Sequence, residues 1–293
     1  MKSLEHVNPL LHLLFDGDTS ERISYIISDR FIPYANASKV AKDIGEVMSL
    51  ERSQRPKCLL VYAEPGMGKS MLLHSVSDLY PPSRPSLDSG REYSVIHISL
   101  ESVTDLRQMY SRIFTVLGVP YSMTDRPDSM LEQVRAALRA AKTRVLIIDE
   151  LHNLLQMPRK LGFHMAVLRD FANLPLCLFC AGTEAARSCI AADPQMKDRF
   201  RRYRLGVWGE TLETRNFLAT LESRLPLEQP SNLSGKVMMP LILRLSGGHT
   251  GTMVTGLREA ARDAVESGSE RIDEDGISVS INRVLTEQLE MPA

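Results

Sequence analysis

Apolar residues fall along this chain in two rhythms. Between residues 58 and 207, short and almost continuous apolar runs alternate with stretches in which apolar positions recur every three or four residues. The runs lie at 58–62, 95–100, 145–149 and 176–181, with a shorter one near 203–207. Continuously apolar runs separated by helices predict strands covered on both faces, as in a parallel sheet. The intervening stretches predict helices: Leu106, Met109, Tyr110, Ile113 and Leu117 share one face, as do Leu131, Val134 and Leu138, and then Phe163, Val167, Phe171 and Leu174. After residue 208 the strand rhythm stops. Phe217, Leu218, Leu221 and Leu225 predict one helix, Val237, Leu241, Ile242 and Leu245 a second, and Met253, Leu257, Ala260, Ala261 and Ala264 a third. Ser246-Gly247-Gly248 breaks the second from the third. A further helix is expected around Ile281, Val284, Leu285 and Leu289.

Ahead of the first strand, Asp18-Thr19-Ser20-Glu21 reads as a capping box before Ile23, Ile26 and Ile27. A second helix is expected over 38–50. The class is therefore α/β. The expected division is a helical lead-in at 1–50, an α/β core at 51–208, a helical lid at 209–268 and a tail at 269–293.

Composition narrows the class further. A chain of 293 residues with 43% hydrophobic and 24% charged residues is ordinary for a soluble globular protein. No apolar run approaches the ~20 residues of a membrane span. Met1-Lys2-Ser3-Leu4-Glu5-His6 lacks the apolar core of a signal peptide, so a cytoplasmic location is expected. Cys58, Cys177 and Cys180 sit in apolar runs and read as buried free thiols, because no second pair or histidine cluster completes a metal site. The formal net charge is −1, so nucleic-acid binding would need a local patch or many subunits acting together.

The chemistry gathers at strand ends. Ala63-Glu64-Pro65-Gly66-Met67-Gly68-Lys69-Ser70 follows the first run and opens a helix through Met71, Leu72, Leu73 and Val76. This strand–glycine loop–helix order is the context of a phosphate-binding P-loop. Gly66 and Gly68 let backbone amides turn towards phosphate, and the helix N-terminus adds its dipole. Lys69 would reach the β- and γ-phosphates and the Ser70 hydroxyl would ligate Mg²⁺. Ala63 stands where the usual pattern has its first glycine.

The run Val145-Leu146-Ile147-Ile148 ends in Asp149-Glu150, the Walker B layout. Asp149 is the expected Mg²⁺ partner, and Glu150 the group that orients and activates a water. The fourth run ends in Gly182-Thr183. Thr183 is either a hydroxyl that senses the γ-phosphate or the cap of the helix beginning at Glu184. Lys197-Asp198-Arg199-Phe200-Arg201-Arg202-Tyr203-Arg204 holds five basic residues in eight. It reads as an arginine finger for a neighbouring subunit's ATP, with Arg199 first and Arg202 second. A phosphate-backbone contact and a solvated basic turn are the other readings. His152 reads as structural or as part of a polar switch.

Together these features resemble an AAA+ ATPase. A narrower resemblance lies in Asp149-Glu150-Leu151-His152-Asn153-Leu154-Leu155, Phe171-Ala172-Asn173-Leu174-Pro175-Leu176, Ala181-Gly182-Thr183-Glu184-Ala185 and Asp193-Pro194-Gln195-Met196-Lys197-Asp198-Arg199-Phe200. With Arg30-Phe31-Ile32-Pro33-Tyr34 and Leu225-Pro226-Leu227, these segments resemble the TniB/TnsC family of transposition ATPases over about residues 20–275. The resemblance implies an ATP- and Mg²⁺-dependent homo-oligomer, a ring or helical filament on double-stranded DNA, without sequence preference. It would link a target selector of TniQ type to a DDE transposase. It also implies that Ile32, Pro33 and Tyr34 lie near the adenine, and that Gly66, Met67, Gly68, Lys69, Ser70 and Met71 hold the phosphates. Candidate DNA contacts are Arg107 and Arg112 on one helix and Arg159 and Lys160 after the Walker B strand; solvated surface residues are the alternative. The segment Gly247-Gly248-His249-Thr250-Gly251-Thr252 lacks the arginine that many AAA+ lids carry there, with Arg258 one helical stretch further on. Two other functions compete: a nucleotide-gated scaffold or signalling ATPase that assembles on protein, and a replication or helicase-loading AAA+ protein.

Overall fold

The apolar runs become one sheet. The computed structural model describes residues 4–49, 56–84, 91–103, 105–155 and 159–290. Strands β1 (Cys58–Tyr62), β2 (Val95–Ser99), β3 (Val145–Asp149), β4 (Cys177–Gly182) and β5 (Phe200–Arg204) lie in the order β2-β3-β4-β1-β5. Every pairing is parallel. β3 and β4 are buried at every position, which is why Val, Leu, Ile, Phe and Cys fill them without alternation.

β5 differs. Its sequence is Phe-Arg-Arg-Tyr-Arg, and only Phe200 is buried. It pairs with β1 alone, from Cys58 opposite Phe200 to Tyr62 opposite Arg204. Charged side chains on such an edge discourage further strand addition. The strand expected near 203–207 thus begins at Phe200, because the ladder with β1 and not an apolar run defines it.

The helices, in chain order, are α1 (Thr19–Ile27), α2 (Ala35–Ser49), α3 (Lys69–Asp78), α4 (Leu106–Leu117) and α5 (Pro127–Ala140). Next come α6 (His152–Leu155), α7 (Leu161–Ala172), α8 (Glu184–Ala192) and α9 (Pro194–Lys197). The last four are α10 (Leu212–Glu222), α11 (Met238–Ser246), α12 (Thr250–Ser267) and α13 (Glu274–Glu290). α4 shows the expected logic: Asp105 caps it by accepting from the Gln108 amide, Leu106, Met109, Tyr110, Ile113 and Phe114 form its buried face, and Gly118 ends it in a left-handed turn. The capping box expected at α1 does not form. Asp18 occupies the cap position, but its carboxylate accepts from the Ser20 hydroxyl and makes no side-chain capping bond.

Two compact units result. One contains the sheet and comprises residues 36–65 and 69–205; the other is helical and comprises the chain up to Ala35, Gly66–Gly68 and the chain from Gly206 on. The lead-in is therefore divided: α1 shares its core with the late helices, and α2 from Asn36 onward belongs with the sheet. In the helical unit Ile26, Ile32, Phe217, Leu221, Met253, Leu257 and Ile281 pack into one apolar core. Polar ties brace it. Glu222 accepts the amides of Ser231, Asn232 and Leu233 at 2.8, 2.8 and 2.9 Å. Arg22, only 7% exposed, pairs with Glu270 at 2.5 Å and donates to the Pro226 carbonyl.

Candidate nucleotide site

In an open parallel sheet, ligands bind beyond the carboxyl ends of the strands. Register brings those ends together here, with Tyr62 opposite Gly182 and Ser99 opposite Asp149. The loop after β1 contains Gly66 at φ +73° and Gly68 at φ +81°, backbone conformations that side-chain-bearing residues rarely adopt. Met67 is buried and Met71 half-buried, while Ser70 is exposed. Lys69 opens α3 with 6% exposure, and its Nζ donates to the carbonyls of Ala63 (3.3 Å) and Glu64 (2.9 Å). Burial lowers the Lys69 pKa, and the charges of Glu150 and Asp149 oppose that shift.

Asp149 is 4% exposed, and its Oδ1 accepts from the Glu150 amide at 2.8 Å. Glu150 itself holds φ +54°, a strained value for a residue other than glycine. Neighbouring hydrogen bonds over-determine that turn. The Leu151 amide donates to Ala181 O (2.9 Å) and the Asn153 amide to Glu150 O (3.0 Å). The Asn153 side-chain amide donates to Leu100 O (3.1 Å). Glu150 Oε2 lies 3.2 Å from His152 Nε2.

Ser70, Asp149 and Glu150 line one cavity of about 490 Å³, together with His74, His97, Ser99 and Glu101. A hydroxyl and a carboxylate are the hard oxygen donors that Mg²⁺ takes. Among the described residues no cluster of three His, Cys, Asp or Glu could hold a metal, so a cation here would complete its shell with water and phosphate oxygens.

His74, His97, Ser99 and Glu101 were not singled out from sequence. His74 follows Ser70 by one helical turn, and His97 and Ser99 alternate along β2, so periodicity does put each pair on a common side. The two imidazole rings meet edge-on with centroids 4.4 Å apart. Burial, and then the neighbouring His74, push the His97 pKa down to about 4 against the opposing charges of Asp149 and Asp78. His97 is thus neutral at physiological pH.

The other candidates are dispersed. Thr183 follows β4 directly, half-buried at the cap position of α8, but its side chain bonds no helix amide. Arg199 lies at the opposite edge of the sheet from Lys69. Its carbonyl accepts from Cys58, the first residue of β1, and its guanidinium donates to Ala172 O. A five-residue strand spans about 13 Å, so Arg199 is a strand's length from the loop of its own chain. Arg202 is exposed on β5 opposite Leu60. Arg107, Arg112, Arg159 and Lys160 are all exposed, the first two on α4 and the others ahead of α7.

Ile32 and Tyr34 belong to the helical unit, where Ile32 is 6% exposed. Tyr34 meets Trp208 and Phe217 edge-on at 5.6 and 6.2 Å, and burial pushes its phenol pKa up. Trp208 stacks on Phe217 at 4.5 Å and donates from Nε1 to Thr250 Oγ1 (2.9 Å). Gly248 is required beneath it: its φ is +70°, and a Cβ there would sit 2.4 Å from the Trp208 carbonyl oxygen. Within the same unit, the Gly251 amide in the first turn of α12 donates to Gly66 O at 2.7 Å. Arg258 pairs with Asp29 at 2.8 Å and donates to Arg30 O. Cys58, Cys177 and Cys180 are buried free thiols whose pKa values burial raises, that of Cys58 to about 11; Cys189 is free and half-buried.

The family model described as Bacterial TniB protein matches residues 22–210. The chain belongs to the TniB family. The match takes in the glycine loop and the β3 carboxylates and stops ahead of α10. No curated protein matches the chain. Among solved structures, the ORC2 protein of Aeropyrum pernix, determined as ADPNP–ADP complexes, is similar with a TM-score of 0.63 at 15% identity, over 92% of this chain and 74% of that one. Cdc6p from Pyrobaculum aerophilum gives 0.63 at 15% identity over 94% and 75%. Aeropyrum pernix ORC1 in complex with DNA gives 0.62 at 15% over 89% and 69%. At such identities the likeness is one of fold. The five-stranded parallel sheet flanked by helices is the P-loop AAA+ fold that the resemblance implied. Among the described residues, no helix is long and apolar enough to cross a membrane.

Proposed function

We propose that this protein is an ATP-dependent, DNA-binding regulator of transposition that hydrolyses ATP. The observation that carries the reading is the convergence of Ser70, Asp149 and Glu150 on one cavity at the carboxyl edge of a TniB-family AAA+ sheet. In this reading the amides around Gly66–Gly68 cradle the phosphates of ATP. Lys69 leaves the carbonyls of Ala63 and Glu64, exchanging two bonds to neutral acceptors for ion-paired ones to the anionic phosphate oxygens. Ser70 and Asp149 hold Mg²⁺, which when bound neutralises charge on the phosphate oxygens. Glu150 orients the attacking water and accepts its proton. Thr183 faces the γ-phosphate from the neighbouring strand end. Arg199, with Arg202 as the second candidate, serves the ATP of an adjacent subunit, which accords with its distance from the loop of its own chain.

Subunits joined in this way form a ring or helical filament around double-stranded DNA. Exposed Arg107, Arg112, Arg159 and Lys160 contact its phosphates without reading bases. The assembly connects a TniQ-type target selector to a DDE transposase. Family membership supports that role, and a solved structure of similar fold is a complex with DNA.

Fluorescence anisotropy on an arbitrary duplex, with a non-hydrolysable ATP analogue, tests the reading. With a formal net charge of −1, binding should need ATP, rise steeply with protein concentration and fall with salt. It should differ little between duplex sequences. No nucleotide-dependent binding at low salt and high protein concentration would favour the scaffold that assembles on protein.

A further inference from the structure

We infer that His152 is a positioning residue for Glu150, holding one carboxylate oxygen so that the other faces the water to be activated. The inference rests on the assignment of Glu150 as the base. His152 Nε2 lies 3.2 Å from Glu150 Oε2, and the two side chains are only 15% and 29% exposed. His152 Nδ1 is buried without a hydrogen-bond partner. A proton on Nδ1 would therefore be stranded, whereas a proton on Nε2 has a carboxylate to receive it. The network thus selects the tautomer that donates to Glu150.

The surroundings suit a fixed orientation better than a swinging one. Glu150 is held at both ends of its peptide unit, its amide on Asp149 Oδ1 and its carbonyl on the Asn153 amide. Asn153 is anchored in turn to Leu100 O, and Leu151 to Ala181 O. With the backbone braced by these bonds at φ +54°, the remaining adjustable part of Glu150 is its side chain. The bond from His152 removes that freedom. Base, water and a third group that orients the base make the arrangement by which general bases are held at reacting distance.

Single-turnover ATP hydrolysis and ATP-analogue affinity, measured on full-length variants, test the assignment. His152→Ala should lower the hydrolysis rate by about ten- to a hundred-fold, the scale of a misplaced catalytic group, with affinity unchanged. His152→Gln should recover most of the rate, because its amide nitrogen reaches the position of Nε2. His152→Asn, whose nitrogen reaches only the position of Nδ1, should not. In a Glu150→Gln background, His152→Ala should add no further loss. A His152→Ala rate at or above the parental value overturns the inference. So does a Gln variant no faster than the Asn one, the mark of a purely structural histidine. If Glu150→Gln itself hydrolyses ATP at the parental rate, the assignment of the base fails, and the role of His152 falls with it.

Discussion

Each of the two units of this chain is stabilised internally by its own means. In the sheet unit the cement is the backbone ladder: four parallel pairings join five strands, of which β3 and β4 are buried throughout. In the helical unit side chains reach back to the backbone of distant segments. Glu222 gathers three amides, Arg22 bonds Pro226 O, and Arg224 bonds Phe31 O at 2.6 Å. A ladder leaves side chains at strand ends free for chemistry. Ties made by side chains commit those side chains to structure. Substitutions of side chains at the strand ends of the first unit should therefore alter ligand handling with little change in stability, and substitutions of the side-chain ties in the second should do the reverse.

The sharpest break would come from Lys69. Lys69→Ala should reduce ATP affinity by about a hundred-fold or more, since every tenfold corresponds to about 1.4 kcal/mol and an ammonium–phosphate contact exceeds that. A thermal unfolding midpoint within a few degrees of the parent should accompany it. Equilibrium binding of a fluorescent ATP analogue reads the first quantity, and unaltered affinity would remove the loop from the site.

Glu222 offers the reverse case. Glu222→Ala leaves the amides of Ser231, Asn232 and Leu233 without their charged acceptor, and Leu233 is fully buried. Urea denaturation should show a loss of about 2–3 kcal/mol, with nucleotide affinity retained. A loss of affinity as large as the loss of stability would blur the distinction between the units. The smallest effect is expected at Arg258. Its partner Asp29 is 81% exposed, so Arg258→Ala should cost at most about 1 kcal/mol in the same assay.

Sequence reading recovered what local pattern specifies. Continuous apolar runs marked β1, β3 and β4, because burial on both faces leaves few polar positions to confuse the period. Asp149 and Glu150 stood out for the converse reason, as two acids ending an apolar run. β5 was harder to place because an edge strand in register with β1 tolerates three arginines. The amphipathic face of α1 was visible from Ile23, Ile26 and Ile27, but a face does not name its partner, and the late helices supply it. At Asp18 a local competitor, the Ser20 hydroxyl, took the carboxylate that the helix amide was expected to use. His97 escaped notice because its significance comes from His74 and Asp149, which only the folded sheet brings near.

The chain has a single tryptophan, and its indole stacks on Phe217, meets Tyr34 edge-on and spends its N–H on Thr250. Any ultraviolet emission excited selectively from indole therefore originates at one address. The eight tyrosines radiate at shorter wavelength and can be left dark by choice of excitation. The molecule thus carries a built-in optical probe of the junction between its N-terminal segment and the α12 start, with no label to perturb either.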